Sequence, residues 1–225
     1  LLLEVASRWA QLGRTVLYAT AEESAGQVRS RAERTGALQE SLYLAAESNL
    51  DAVFGHVDKL KPSLIIVDSV QTMHAVGVEG VSGGVAQSRA VTAALTSLAK
   101  STGIPVLLVG HVTKDGNVAG PRVLEHLVDV VCQFEGDRHS RLRMVRAVKN
   151  RYGATDEVGC FELTDTGIVG LPDPSGLFLS SRNLTVPGTC VTMTLEGRRP
   201  MPVEVQGLVV PTSGRPQRTT NGVAY

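Results

Sequence analysis

Aromatic residues are scarce in this chain. They make up 4% of its 225 positions against 43% hydrophobic residues in all, so an aliphatic core has to drive folding. Net charge is absent too: Lys plus Arg and Asp plus Glu stand at 22 each. That balance excludes a basic coat over the whole surface. Any contact with a polyanion must come from a local patch, or from one patch repeated around several subunits. Cysteine is rare. Cys132, Cys160 and Cys190 are odd in number, far apart and without CxxC spacing. A disulfide framework and a zinc site are therefore not expected within the chain; three reduced, buried thiols are. No apolar run approaches the roughly 20 residues of a membrane span. The opening LLLEVASRWAQLG has neither a basic leader nor a small-residue cleavage site, so it does not read as a signal peptide. No membrane association and a cytoplasmic location are expected.

What is present is an alternation of apolar runs and helical periods. Leu1, Leu2, Val5, Trp9 and Leu12 lie at helical spacing, with Gly13 as a C-terminal cap. This helix has no N-cap of its own, and a preceding segment is expected. VLYAT (16–20) is a short strand. Ser24 and Gln27 form a capping box for the next helix, which Gly36 ends. LYLAA (42–46) reads as a strand. Asn49 caps a helix whose apolar face is Leu50, Val53, Val57 and Leu60, and Pro62 stops it. LIIVD (64–68) is a continuous aliphatic run ending in a carboxylate. A glycine-rich loop (77–84) leads to a helix running to about Thr102, followed by the apolar strand PVLLVG (105–110). VVCQF (130–134), LRMVRAV (142–148) and VGCFEL (158–163) are later strands. Strands that are apolar throughout and alternate with helices predict an α/β fold with a mainly parallel sheet covered on both faces.

In such sheets ligands bind where the strands end at their carboxyl side. The residues delivered there are Glu22 and Glu23, Asp68 and Ser69, and His111 to Lys114. An Asp fixed at the end of an aliphatic strand is suited to hold Mg²⁺ directly or through water, which makes Asp68 a candidate. Many parallel strands end in Asp, and an ordinary cap or loop residue is the plainer reading. Glu22 is placed to orient or activate an attacking water. Its plainer reading is a negative charge near the start of the following helix, favoured by the helix dipole.

VLYATAEESAGQVRSRAERTG, LIIVDSVQT, VLLVGHVTKDGNVAGPRVLEHLVD, FEGDRHSRLRMVRAVKNRYGATDEVGCFEL and PTSGRPQRTTNG follow one another in this order. Together they resemble the bacterial RadA/Sms family of DNA repair and recombination ATPases, over essentially the whole chain. The resemblance implies a RecA-like P-loop ATPase core over residues 1–170 and a linker at 171–176. Residues 177–225 would begin a Lon-protease-like α+β domain. It implies ATP and Mg²⁺ as ligands and zinc bound by an N-terminal motif outside this chain. It further implies a homo-oligomeric, hexameric ring acting on single-stranded and branched DNA alongside a RecA-type recombinase. The expected activity is DNA-dependent ATP hydrolysis that promotes branch migration. A non-catalytic DNA-binding scaffold and another RecA-like ring helicase are the alternatives.

Carried onto this sequence, the resemblance makes Glu22 the catalytic carboxylate and Asp68 the Walker B aspartate. Lys149, Asn150, Arg151, Tyr152 and Gly153 become the KNRYG family motif. Lys149 and Arg151 would reach the nucleotide of a neighbouring subunit, and such cationic fingers are worth roughly 10³–10⁵ in rate. The plain alternative is a solvated hairpin tip. His111 is either a sensor of the γ-phosphate or an ordinary loop histidine. Two loops, 73–89 and 111–122, are candidates for the channel of a ring, with Lys114 and Arg122 as DNA contacts; the alternative is two mobile surface loops. The basic run 138–146 touches DNA or pairs with acids. No GxxxxGK[ST] loop occurs in these residues, and no Ser–Lys dyad can be argued from them. The 225 residues alone are accordingly expected to bind little ATP.

Overall fold

The computed structural model describes residues 1–111, 124–136, 141–173, 187–211, 213–215 and 218–220. Four strands, β1 (Val16–Thr20), β2 (Leu42–Ala46), β3 (Leu64–Asp68) and β4 (Val106–Leu108), form a parallel sheet in the order β2-β1-β3-β4. The helices between them are α1 (Leu2–Gln11), α2 (Ala25–Arg34), α3 (Leu50–Leu60) and α4 (Val85–Thr102). The capping box at Ser24 and Gln27 forms as predicted, and Asn49 accepts from Asp51 N at the start of α3. Gly103 closes α4 at φ 72°, a backbone angle that favours glycine.

The central strands β1 and β3 are buried on both faces because they are apolar up to their last residues, Thr20 and Asp68. Leu17, Ala19, Ile65 and Val67 pack against Val53 and Val57 of α3 and Val91 and Leu95 of α4. Val16, Tyr18, Leu64 and Ile66 face the other way, onto Ala6 and Ala10 of α1. Burying each large aliphatic side chain contributes about 1.5–3 kcal/mol, which drives the sheet together despite the few aromatics. The sequence reading placed β4 over 105–110, but the strand covers only Val106–Leu108, paired with Ile65–Val67.

The later strands do not extend the parallel sheet. β5 (Val130–Glu135), β6 (Leu142–Asn150), β7 (Val158–Thr164) and β8 (Gly167–Gly170) build a separate antiparallel sheet in sequence order. Their half-exposed burial pattern is that of a sheet solvated on one side. β9 (Thr189–Glu196) and β10 (Arg199–Gln206) form a hairpin. Its Met201 is buried with Leu142, Val158 and Cys160. Arg146 pairs with Glu196, and Arg198 N donates to Asp156 O at 2.8 Å. Residues 174–176 of the expected linker lie outside the described residues.

One expectation is corrected. Cys160 is buried, but Cys132 and Cys190 are exposed, because they stand on solvated faces of β5 and β9. The loop after β3 is pinned rather than free. The buried Gln87 side chain accepts from Ala75 N at 2.9 Å and donates to Ala75 O and Val78 O. Among the described residues no helix is long and apolar enough to cross a membrane.

Candidate active site

The parallel register brings the strand ends level. Thr20 pairs with Asp68 across β1 and β3, and Val67 pairs with Leu108 across β3 and β4. Glu22 lies two residues past Thr20 and His111 three past Leu108, so both emerge beside Asp68. One ligand atom from each of Glu22, Asp68 and His111 lies within 4.8 Å of the others. This is the edge to which the sequence pattern assigned them.

Each carboxylate is held by a partner. Ser69 Oγ donates to Glu22 Oε1 at 2.7 Å, and His111 Nε2 lies 2.9 Å from the same oxygen. The imidazole can donate there as the neutral Nε2–H tautomer or as the imidazolium. Ser69 is itself fixed: its N–H donates to Thr72 Oγ1, and that hydroxyl donates back to Ser69 O. Tyr18 OH donates to Asp68 Oδ2 at 2.6 Å. Burial first, and then this hydrogen bond, push the Tyr18 phenol well above its ordinary range, so it stays a donor. Oδ1 of Asp68 and Oε2 of Glu22 accept no hydrogen bond among the described residues. The Glu22 and His111 side chains keep 33% and 55% of their surface exposed, which leaves room for a substrate.

The donor set fits a divalent cation of the Mg²⁺ type. Mg²⁺ is usually held by one or two carboxylates, with water and phosphate oxygens completing its shell. Asp68 offers one carboxylate oxygen and Glu22 stands close enough to offer a second. His111 is occupied with Glu22 and adds a donor rather than a ligand.

The KNRYG residues stand elsewhere, at the end of β6. Lys149 Nζ donates to Glu125 O and Val128 O at 2.6 and 2.7 Å. Arg151 Nη1 lies 2.8 Å from Asp129 Oδ1, with its side chain 58% exposed. Asn150 organises the turn: its Oδ1 accepts from Tyr152 N, and its Nδ2 donates to Ala154 O. Gly153 does not have a positive φ. A Cβ there would meet Asn150 Nδ2 at 3.3 Å, so close approach is its structural role. Tyr152 is exposed. None of these side chains contacts Glu22, Asp68 or His111 within the described part of the chain. Lys114 and Arg122 lie outside the described residues, as do Arg138 and His139; Arg146 of the same basic run pairs with Glu196.

Sequence reasoning gave Ser69 no role and passed over Tyr18 and Asp129. A polar-tipped ring inside an otherwise aliphatic strand was the available signal for Tyr18, because a buried phenol requires a partner.

A model of the AAA domain family matches residues 1–117. Over 227 residues the chain is 61% identical to the DNA repair protein RadA of Mycolicibacterium smegmatis, covering 99% of this chain and 49% of that protein. It is 58% identical to that of Mycobacterium tuberculosis (99% and 47% covered) and 47% identical to that of Streptococcus pneumoniae (100% and 54%). The chain thus spans about half the length of the curated relatives it matches. Among solved structures it resembles a KaiC-like protein from Pyrococcus horikoshii OT3. The TM-score is 0.56 at 17% identity, over 74% of this chain and 80% of that one, a likeness of fold. The matched model covers the parallel sheet that carries Glu22 and Asp68, and the matches to the RadA proteins extend over nearly the whole chain. The chain belongs to the AAA domain family, as a RadA/Sms member with an α/β, RecA-like core.

Proposed function

We propose that the protein of which this chain is part is a DNA-dependent ATPase of recombinational repair that promotes branch migration. The observation that carries this is the convergence of Glu22, Asp68 and His111 within 4.8 Å at the carboxyl edge of a parallel sheet. The RadA proteins it is similar to are DNA repair proteins by name.

The chain's own residues divide the work. Asp68 would hold the cation, directly or through water, and Mg²⁺ bound there would supply charge neutralisation at the transferring phosphoryl group. Glu22 receives donors from Ser69 and His111 on Oε1, which fixes the carboxylate plane. Oε2 is then free to orient the attacking water and draw its proton. His111, three residues past its strand, reports on the γ-phosphate by trading its contact with Glu22. Arg151, exposed and held by a surface ion pair, reaches the nucleotide of a neighbouring subunit in a hexameric ring. Exposed pairs contribute only about 0–1 kcal/mol, so releasing Asp129 costs little. Lys149 braces the strand tip from which Arg151 projects. Lys114 and Arg122 contact single-stranded or branched DNA in the channel, where a RecA-type recombinase works on the same intermediates. Residues 177–225 begin a Lon-protease-like platform.

The test is ATP hydrolysis by the full-length protein with and without branched DNA. Glu22→Gln keeps shape and hydrogen-bonding capacity but removes the base, and hydrolysis should fall by about 10²-fold or more. DNA-stimulated hydrolysis at the wild-type rate in that variant would overturn the proposal.

A further inference from the structure

A carboxylate that holds a cation through one oxygen must have its plane fixed, or its two oxygens exchange by rotation and water competes for both. Asp68 ends β3 opposite Thr20. Side chains alternate along a strand, so Tyr18, two residues before Thr20, shares the face of Asp68 and lies one step below it. Its ring is 2% exposed and packed with Ala6, Ala10, Leu64 and Ile66 under α1. From there the hydroxyl reaches Asp68 Oδ2 at 2.6 Å. That length is typical of a charge-assisted O–H···O⁻ bond.

We propose that Tyr18 is a positioning residue for the cation site: its buried phenol fixes the Asp68 carboxylate by Oδ2 and so presents Oδ1 to the divalent ion. The neutral donor matters. A lysine or arginine in its place would hold the same oxygen but cancel the charge that attracts the cation, whereas a phenol orients the carboxylate and leaves it anionic. The packing around the ring supplies the rigidity, since the phenol can neither swing away nor exchange with water. Outer partners that orient a metal-bound carboxylate typically alter metal affinity by an order of magnitude or more.

The inference rests on the reading of Asp68 as the carboxylate that holds Mg²⁺. Its test uses the full-length protein with a non-hydrolysable ATP analogue and Mn²⁺ as the probe, bound ion being read by electron paramagnetic resonance. Tyr18→Phe removes one oxygen from an otherwise apolar packing site. Half-saturation by Mn²⁺ should rise about 10-fold, and the Mg²⁺ dependence of hydrolysis should shift with it. The KM for ATP at saturating Mg²⁺ should stay within about twofold. Replacing Tyr18 by 4-aminophenylalanine, which keeps an N–H donor at the same reach, should restore Mn²⁺ binding. A Phe variant with wild-type half-saturation would overturn the proposal, as would a loss that the amino variant fails to restore, since that loss would belong to packing. Asp68→Asn separates the two levels. If it leaves Mn²⁺ binding intact, the reading of Asp68 is wrong. If it abolishes binding while Tyr18→Phe changes nothing, only the role of Tyr18 is wrong.

Discussion

Lys149 and Arg151 stand two residues apart at the end of β6 and bind opposite kinds of group. Lys149 Nζ donates to the backbone carbonyls of Glu125 and Val128, whereas Arg151 Nη1 holds the Asp129 carboxylate. The first arrangement is half-buried and fixed by backbone; the second lies at the surface and is exchangeable. One cation of the motif is built into the fold and the other is available.

That difference predicts a split between stability and activity. Lys149→Ala leaves two carbonyls without their donor, and unfolding in urea should show a loss of about 1–3 kcal/mol. Arg151→Ala removes only an exposed pair and should change stability by no more than about 0.5 kcal/mol. Its DNA-linked hydrolysis should nevertheless fall by about 10³-fold. Equal stability losses in the two variants would contradict the assignment of brace and finger.

Ser69 and His111 both act on Glu22 Oε1, so their effects should overlap. Ser69→Ala and His111→Ala are each expected to lower kcat about 10-fold with little change in nucleotide affinity, because a misoriented carboxylate binds no less substrate. The double variant should fall short of the product of the single losses, as groups sharing one partner do. Full additivity in kcat would mean that the two donors serve different atoms.

The parallel core and its caps were legible in the sequence because each signal was local. VLYAT and LIIVD are apolar up to their final residue, and Ser24 caps through Gln27 three residues away. Glu22, Asp68 and His111 could be grouped because strand ends define one edge. The relations that hold them were not legible. Tyr18 meets Asp68 across 50 residues and Ser69 meets Glu22 across 47, distances over which no spacing rule operates. Lys149 read as a free cation because its carbonyl partners lie 24 and 21 residues upstream. The strands from Val130 onward read as strands, but alternation does not say which neighbour a strand pairs with. Their antiparallel sheet had to be seen.

Met201 should carry more of the hairpin's attachment than Arg146 does. It is 2% exposed against Leu142, Val158 and Cys160, whereas the Arg146–Glu196 pair is partly solvated. Met201→Ala is expected to cost about 2–5 kcal/mol through lost burial and a residual cavity. Limited proteolysis should then cut within 187–206. Arg146→Ala should leave that region protected at moderate salt, since exposed pairs are screened.

Gln87 offers the last test, and it concerns a loop that composition marked as free. Residues 77–84 carry glycines at positions 77, 80, 83 and 84, a pattern of conformational freedom. Yet one fully buried amide on α4 satisfies Ala75 N, Ala75 O and Val78 O together, replacing the ladder bonds an irregular segment lacks. Gln87→Leu keeps the volume and removes every one of these bonds. Stability should drop by about 2–4 kcal/mol, the cost of several backbone groups left without partners. Amide exchange at 75–84 should rise far more than exchange in β1 or β3. If the loop binds DNA, the variant should also bind single strands more weakly while ATP affinity holds, because an unpinned loop must be ordered at the moment of contact. Unchanged exchange in the variant would show that the glycines, and not the glutamine, set the loop's motion.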